Sequence, residues 1–258
     1  MAKWTAFPYA DKAYQYTEAT LKKQWPRLHR GDCEPLPKDK TALEAWIAFH
    51  AGEFARAVDL GIAAGPPGWN AANKAAAVHA SYLEKSEKRK LEILEQAMRR
   101  AEELMATEPK NVNAHYLYAF AAGRYGQGIS VAKALAQGLG GKVKDALQKT
   151  LKLEPKHADA HIAFGTWHAE IIDKVGAMIG GMTYGAKRDQ ALEHYRTALQ
   201  LNPDSAIARI EYANGLVMLD GKKALKEAEK LYAEAAACKA ADAMERLDVE
   251  MARSELED

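Results

Sequence analysis

Three prolines divide much of this chain into units of similar composition. Pro109, Pro155 and Pro203 stand 46 and 48 residues apart, and they close the Leu-rich segments LMATEP, LKLEP and LQLNP. Proline lacks a backbone N–H and disfavours helix in the residue before it, so each proline marks the end of a helix. A polar turn and a new Ala-rich segment follow each time. The spacing therefore predicts a tandem array of helical units.

The residues around these prolines indicate how the helices of one unit meet. Before Pro203, a small, a large and a small residue follow one another at helical spacing. They are Ala191, Tyr195 and Ala198. Ten positions after each proline stands another small residue, in the order Ala119, Gly165 and Ala213. This pattern is typical of the tetratricopeptide repeat (TPR), in which small residues let two antiparallel helices approach closely.

The predicted fold class is all-α, a TPR-like right-handed solenoid of about four to five antiparallel helix pairs. Of the 258 residues, 48% are hydrophobic, and little alternating pattern argues for strands. An ideal TPR is about 34 residues long, so these units carry roughly a dozen extra residues, placed between the two helices of a unit. We expect an N-terminal capping segment at residues 1–40, the repeat array at 41–241 and a C-terminal capping helix at 242–258.

Composition excludes several classes of partner. The chain has 36 Lys and Arg against 35 Asp and Glu, so it offers no global attraction to nucleic acid or to an anionic membrane. Cys33 and Cys238 lie at opposite ends of the sequence, which favours reduced thiols in a cytoplasmic protein. No apolar run approaches the roughly 18 residues of a membrane span. The N-terminus lacks an apolar signal-peptide core, although a processed secretory protein would look the same.

Four stretches of the chain resemble a known family. They are residues 152–168 (KLEPKHADAHIAFGTWH), 184–203 (YGAKRDQALEHYRTALQLNP), 210–215 (IEYANG) and 242–249 (DAMERLDV). Together they resemble the TPR-like domain of the regulator of microtubule dynamics family and its bacterial relatives, over residues 115–256. The resemblance implies a non-enzymatic helical domain, and some eukaryotic relatives are tied to microtubules or to phospholipids at organelle contacts. A weaker likeness is to periplasmic TPR proteins of TRAP-type transporters.

Histidines are the strongest candidates for metal chemistry. His157 and His161 stand four positions apart and His168 lies two turns further, so a zinc site completed by Asp159 or Glu170 is one interpretation. There is no HExxH motif, and no nucleophile–base order or phosphate-binding glycine loop can be recognised.

The position of His161 recurs in the other units. His115 stands 46 residues before it and Arg209 stands 48 residues after it. A position that recurs in each unit is better explained by packing than by a single metal centre. We therefore predict no metal, no cofactor and no catalytic activity.

In a TPR array the first helix of each pair lines the inner face, and its register predicts the groove residues. They are Asn113, Tyr116, Phe120, Arg124, Asp159, Ile162, Thr166, Glu170, Ile210 and Asn214, with Ile207 and Met218 in the same register. The chaperone-type TPR clamp needs Lys and Asn at such positions, and only Asn214 matches. The groove is instead apolar and aromatic, unless neighbouring helices cover these side chains.

Two inserts between paired helices have an unusual composition for solvated loops. Residues 127–141 (QGISVAKALAQGLGG) and 175–185 (VGAMIGGMTYG) are rich in Gly, Ala, Ile and Met. Exposed apolar segments of this kind form adhesive patches, so we expect them either to fold over the groove as flaps or to widen the core.

The predicted function is a non-catalytic binding or scaffold module that recognises a protein or peptide through the apolar groove. The alternative is a carrier of a lipid or another hydrophobic small molecule in the same groove.

Overall fold

A computed structural model describes residues 4–257 of the chain. Its helices are α1 (Glu18–Leu28), α2 (Lys40–His50), α3 (Phe54–Ala63), α4 (Pro66–Tyr82), α5 (Glu87–Thr107), α6 (Val112–Ile129), α7 (Val131–Ala136), α8 (Leu139–Leu153), α9 (Ala158–Val175), α10 (Ala177–Ile179), α11 (Arg188–Leu201), α12 (Ala206–Asp220), α13 (Leu225–Ala236) and α14 (Ala243–Glu257). Short 3₁₀ turns occur at Lys12–Tyr14 and Gly221–Ala224, and a π-helical turn at Gly180–Tyr184 follows α10. No strand occurs within residues 4–257.

Successive helices pack as pairs: α2 with α3, α4 with α5, α6 with α8, α9 with α11 and α12 with α13. The first helix of each later pair also packs on the pair before it, as α12 does on α9. The predicted all-α, TPR-like solenoid with inserts between paired helices is therefore confirmed.

Each predicted proline stop is followed by a helix N-cap two residues later. Asn111, His157 and Ser205 occupy these positions, and each side chain accepts a hydrogen bond from the backbone N–H three residues on, at 3.1, 3.0 and 3.1 Å. These bonds satisfy N–H groups that a helix start leaves unpaired. The proline thus ends one helix, and the cap starts α6, α9 or α12.

His115, His161 and Arg209 occupy the same position in three repeats. Each side chain contacts the backbone carbonyl of the proline in the turn that precedes its helix. His115 Nε2 and His161 Nε2 lie 3.1 Å from the carbonyl oxygens of Pro109 and Pro155. Arg209 Nη1 donates to the Pro203 carbonyl at 2.8 Å. The three residues play one structural role in three units, which explains why the position recurs.

Tyr195 is the large residue at the contact between α9, α11 and α12. Its side chain is fully buried. Cβ atoms built on Gly165 and Gly215 would come within 2.9 and 2.5 Å of the Tyr195 side chain. Two glycines from neighbouring inner helices therefore make room for one aromatic ring.

Replacing Gly165 with leucine is expected to lower the free energy of unfolding by about 1–3 kcal/mol, because the new side chain overpacks the contact with Tyr195. Chemical denaturation would measure the loss. Gly141→Leu is the matched control, since a Cβ at Gly141 meets nothing within 4 Å. Equal stabilities for the two variants would contradict the packing described for Gly165.

The two ends of the chain meet across the inner face of the array. Helix α1 buries Leu21 and Trp25 against α2. Arg27 forms a bidentate pair with Glu245 at the start of α14, at 2.6 and 3.1 Å. Tyr16 Oη donates to the carbonyl of Ala241 at 2.7 Å. The inner face is therefore partly covered by the chain's own ends.

Candidate functional site

The inner helices surround a cavity of ≈ 130 Å³. Its walls come from α4, α6, α9 and α12, and α14 contributes Met244 and Asp248. The first insert contributes Val131, Ala134 and Leu135 of α7. The cavity is thus bounded by helices from four units together with the C-terminal helix.

Most of the cavity wall is aromatic or aliphatic. Tyr116 and Phe120 lie one turn apart on α6 with their rings nearly parallel and their centroids 6.2 Å apart. Ile162 faces the same space from α9. Trp167, also on α9, donates its indole N–H to the Gly140 carbonyl at 2.8 Å, which joins α9 to the start of α8.

A cluster of polar side chains lies beside this apolar wall. Arg124 Nη2 donates to Glu211 Oε1 at 2.7 Å, and Thr166 Oγ1 donates to Glu211 Oε2 at 3.0 Å. Gln127 donates to Glu170 across α6 and α9. Burial raises the pKa of Glu170 to about 7, although the Gln127 hydrogen bond lowers it.

A loop after α1 crosses the inner face and contacts Asp159 of the cavity wall. The Gly31 carbonyl accepts a hydrogen bond from the Asp159 backbone N–H at 3.0 Å. Asn113 Nδ2 donates to the Asp32 carbonyl at 2.9 Å, and Trp25 Nε1 donates to the Glu34 carbonyl at 2.8 Å. The loop is therefore fixed by α1, α6 and α9 together.

This loop carries two acidic side chains into a buried polar cluster. Asp32 pairs with Lys74 of α4, and its other oxygen lies 2.9 Å from His29 Nδ1. Burial alone would raise the pKa of Asp32, but Lys74 and His29 hold it well below its usual range. An ion pair this deep depends on both partners.

The second acidic side chain, Glu34, is held by amides. Asn70 donates to both of its carboxylate oxygens, at 3.2 and 3.1 Å, and Asn113 donates at 2.6 Å. Burial and the neighbouring Asp32 raise the pKa of Glu34 to about 8. Lysine and asparagine side chains of the inner helices thus bind acidic side chains of the chain's own N-terminal segment.

The C-terminal helix and the residue before it supply two further acidic groups on this side. Tyr82 donates to Asp248, and Asp242 Oδ2 lies 2.7 Å from His50 Nδ1. Burial raises the pKa of Asp248 well above its usual range, despite the Tyr82 hydrogen bond. Asp159 faces the cavity near these groups. Burial raises its pKa to about 6, although Lys74 lowers it.

Seven of the predicted groove residues line the cavity. They are Tyr116, Phe120, Arg124, Asp159, Ile162, Thr166 and Glu170. Ile207 of the same register lines it as well.

The other predicted groove residues lie elsewhere. Asn113 is buried in the polar cluster, where it also contacts His157 Nε2 at 2.9 Å. Ile210 is only 1% exposed, because α13 and α14 cover it with Ala235 and Val249. Asn214 accepts a hydrogen bond from Tyr232 Oη at 2.6 Å and lies outside the cavity.

Several cavity residues lie outside the predicted groove set. Lys74, Val78 and Tyr82 come from α4, which precedes the first proline-marked unit, and Met244 and Asp248 come from α14. A local signal exists for Lys74. Lys74 is the one lysine in the Ala-rich segment NAANKAAAVHA. A helix that is apolar on all sides is expected to be buried, and a lysine within it is then expected to pair with an acidic side chain.

The histidines considered as metal ligands have structural roles in the described residues. His157 is the N-cap of α9, and burial lowers its pKa to about 3. His161 Nδ1 lies 2.8 Å from His194 Nδ1, and His168 Nδ1 accepts from the Lys187 backbone N–H at 3.1 Å. Within residues 4–257, no three His, Cys, Asp or Glu side chains are grouped so that they could hold a metal ion.

The two inserts behave differently. The first forms α7 and lines the cavity, as described above. The second forms α10 and the π-helical turn, and it contributes no residue to the cavity wall. Its Met178, Ile179 and Met182 are 75%, 53% and 84% exposed. The second insert therefore presents an apolar surface to the outside.

The arrangement of paired helices defines a TPR-like helical solenoid. Residues 69–257 match the family model of regulator of microtubule dynamics protein 1-3, and the chain belongs to this family. No curated protein matches the chain at a significant level. In the part of the chain that the structure describes, none of the helices has the length and apolar character needed to cross a membrane.

One solved structure shows the same fold, and a second gives a weaker match. A thermophilic TPR protein of Thermus thermophilus superposes with a TM-score of 0.57 at 17% sequence identity, covering 83% of this chain and 97% of that one. A monomeric mutant of IFIT1 with Gppp-AAAA gives a TM-score of 0.43 at 18% identity, covering 78% of this chain and 50% of that one. The similarity to the Thermus protein concerns the fold alone.

Proposed function

We propose that this protein is a non-catalytic binding module whose ligand is a small apolar molecule or an acyl chain held in the central cavity. The observation that carries the proposal is the cavity itself, with the Tyr116 and Phe120 rings on one side and Ile162 on the other. Concave, mostly apolar spaces with a few placed polar groups are the usual form of small-molecule sites.

A small ligand suits this space better than an extended peptide. A peptide in a TPR groove needs a continuous open inner face. Here the loop around Gly31 bonds to α9, and the α14 residues Met244 and Asp248 form part of the wall. What remains between these segments is a bounded cavity rather than an open channel.

The polar groups of the cavity support a binding role. Arg124, Thr166 and Glu211 bond to one another, and Tyr82 bonds to Asp248. Neither histidine nor cysteine is found among the described residues that line the cavity.

A scaffold that binds a protein partner on its outer surface is the second candidate. It is favoured by the TPR-like fold and by the exposed Met178, Ile179 and Met182 of the second insert. Methionine-rich exposed surfaces adapt to varied partners. Such a scaffold would not depend on the cavity, so filling the cavity distinguishes the two candidates.

Gly123 offers a way to fill the cavity without strain. It lines the cavity, and a Cβ built on it meets nothing within 4 Å. In Gly123→Leu, the new side chain is expected to occupy the ligand space and to abolish binding of octan-1-ol, measured by isothermal titration calorimetry. Stability should rise by about 0.5–1 kcal/mol, because glycine is a poor residue in a helix.

Gly141→Leu is the matched control, because Gly141 also has open space around its Cα but does not line the cavity. It should keep octan-1-ol binding. If the wild type does not bind octan-1-ol, or if Gly123→Leu binds it as well as the wild type, the cavity is not a ligand site.

A further inference from the structure

The charged residues that line the cavity are mainly acidic. Asp159, Glu170, Glu211 and Asp248 face it, against Lys74 and Arg124. Both cations already have a carboxylate partner at short range. Lys74 pairs with Asp32 of the N-terminal loop, and Arg124 pairs with Glu211. No cation of the cavity wall, among the described residues, is therefore left to receive an anionic ligand.

Asp159 is the carboxylate with the least protein support. Its backbone N–H bonds to Gly31, but its side chain has no hydrogen-bond partner within the described residues. A Cβ at position 31 would collide with the Asp159 carboxylate, so the glycine lets this side chain lie between the loop and the cavity. Asp248 is near enough for its pKa to be raised by Asp159. Lys74 is near enough to lower the pKa of Asp159, but its ammonium bonds to Asp32 and makes no hydrogen bond to Asp159 among the described residues. A ligand with a positively charged hydrogen-bond donor would give the Asp159 carboxylate the hydrogen bond that it lacks.

An apolar tail fits along the rest of the space. The cavity follows α9 from Asp159 past Ile162 and Trp167 to Ile171. At 1.5 Å per residue, this stretch of helix is about 18 Å long. The α7 and α8 residues Leu135 and Leu139 complete the apolar part.

We propose, on the basis of the function proposed above, that the ligand of this cavity is a cationic amphiphile: an alkylammonium whose head bonds to the Asp159 carboxylate and whose tail lies along the Ile162–Trp167 wall. A fatty acid or phosphate ester is disfavoured, because its head would add negative charge beside the Asp159 carboxylate. Charge-assisted hydrogen bonds to an ionised carboxylate are stronger than neutral ones, so the head group decides the selectivity.

Three probes with the same chain test the proposal at pH 8, where Asp159 is ionised: octylammonium, octanoate and octan-1-ol. Calorimetry on the wild-type protein should give the order octylammonium, octan-1-ol, octanoate, with octylammonium about 10-fold tighter than the alcohol. Asp159→Asn should reduce octylammonium affinity to that of octan-1-ol and leave the alcohol unchanged.

Asp189→Asn is the matched control. Asp189 is the second residue of α11, as Asp159 is of α9, but its side chain is 96% exposed. It should not alter the affinity of any probe. Octanoate binding as tightly as octylammonium would overturn the cationic head group while leaving the apolar site intact. Failure of all three probes, including the neutral alcohol, would instead overturn the proposed function. The ranking on the wild type decides the head group even if Asp159→Asn does not fold.

Discussion

Replacing Lys74 with methionine is expected to lower the free energy of unfolding by about 3–5 kcal/mol, which is enough to unfold many domains. Lys74 is buried and pairs with the equally buried Asp32. Methionine fills similar space but leaves the Asp32 carboxylate without its main cation. The loop that carries Asp32 across the inner face should then detach or carry an unpaired charge. Urea denaturation followed by circular dichroism would measure the loss.

Lys230→Met is the control for this substitution. Lys230 is exposed on α13, 3.8 Å from Glu227, and surface pairs of this kind contribute about 0–1 kcal/mol. If Lys74→Met is as stable as Lys230→Met, the loop does not depend on the buried pair.

Glu34→Gln is expected to become more stable than the wild type as the pH rises. The pKa of Glu34 is raised from 4.5 to about 8 in the folded protein, so folding favours the protonated acid. The stability that this group contributes is fully present below pH 4.5 and is lost as the pH rises to about 8. Glutamine resembles the protonated acid and avoids the loss. The difference between the variant and the wild type should reach up to about 5 kcal/mol.

Unfolding curves at several pH values between about 4 and 9 would measure this difference. The groups that face Glu34 are Asp32, Lys74, Asn70 and Asn113, and they are the same in both proteins. Glu227→Gln is the control, because Glu227 is exposed on α13. If the stability curves of Glu34→Gln and the wild type run parallel across this range, Glu34 is not a buried neutral acid.

Local patterns made the repeat architecture predictable. Each proline ends a helix, and the residue two positions later caps the next one, so Asn111, His157 and Ser205 mark the helix starts. Helical register then places Tyr116 and Phe120 on one face of α6, and the structure puts both at the cavity. These features depend on residues close in sequence, which a repeat register captures.

Contacts between distant parts of the chain were not predictable in the same way. Asp32 and Lys74 are 42 residues apart, and Tyr82 and Asp248 are 166 apart. The register of the repeats gives no information on how the two ends fold back across the inner face. Ile210 shows the consequence. Its position in the repeat predicts that Ile210 faces the groove, but α14 covers the part of α12 that carries Ile210.

The second insert shows the limit of composition as a guide. Both inserts are rich in Gly and apolar residues, yet only the first lines the cavity. Glycines with positive φ at Gly176 and Gly185 bound α10 and the π-helical turn, and Met178 and Met182 between them lie on the surface. The two inserts are so similar in composition that composition alone does not predict which of them lines the cavity.

Native mass spectrometry of the purified protein tests the central claim most directly, because it weighs the folded chain together with whatever occupies its cavity. The wild type, incubated with the neutral probe octan-1-ol, should carry one added ligand mass, and Gly123→Leu should carry none while Gly141→Leu keeps it. An added mass that persists in Gly123→Leu, or a bare chain in all three proteins, would contradict a ligand in the central cavity.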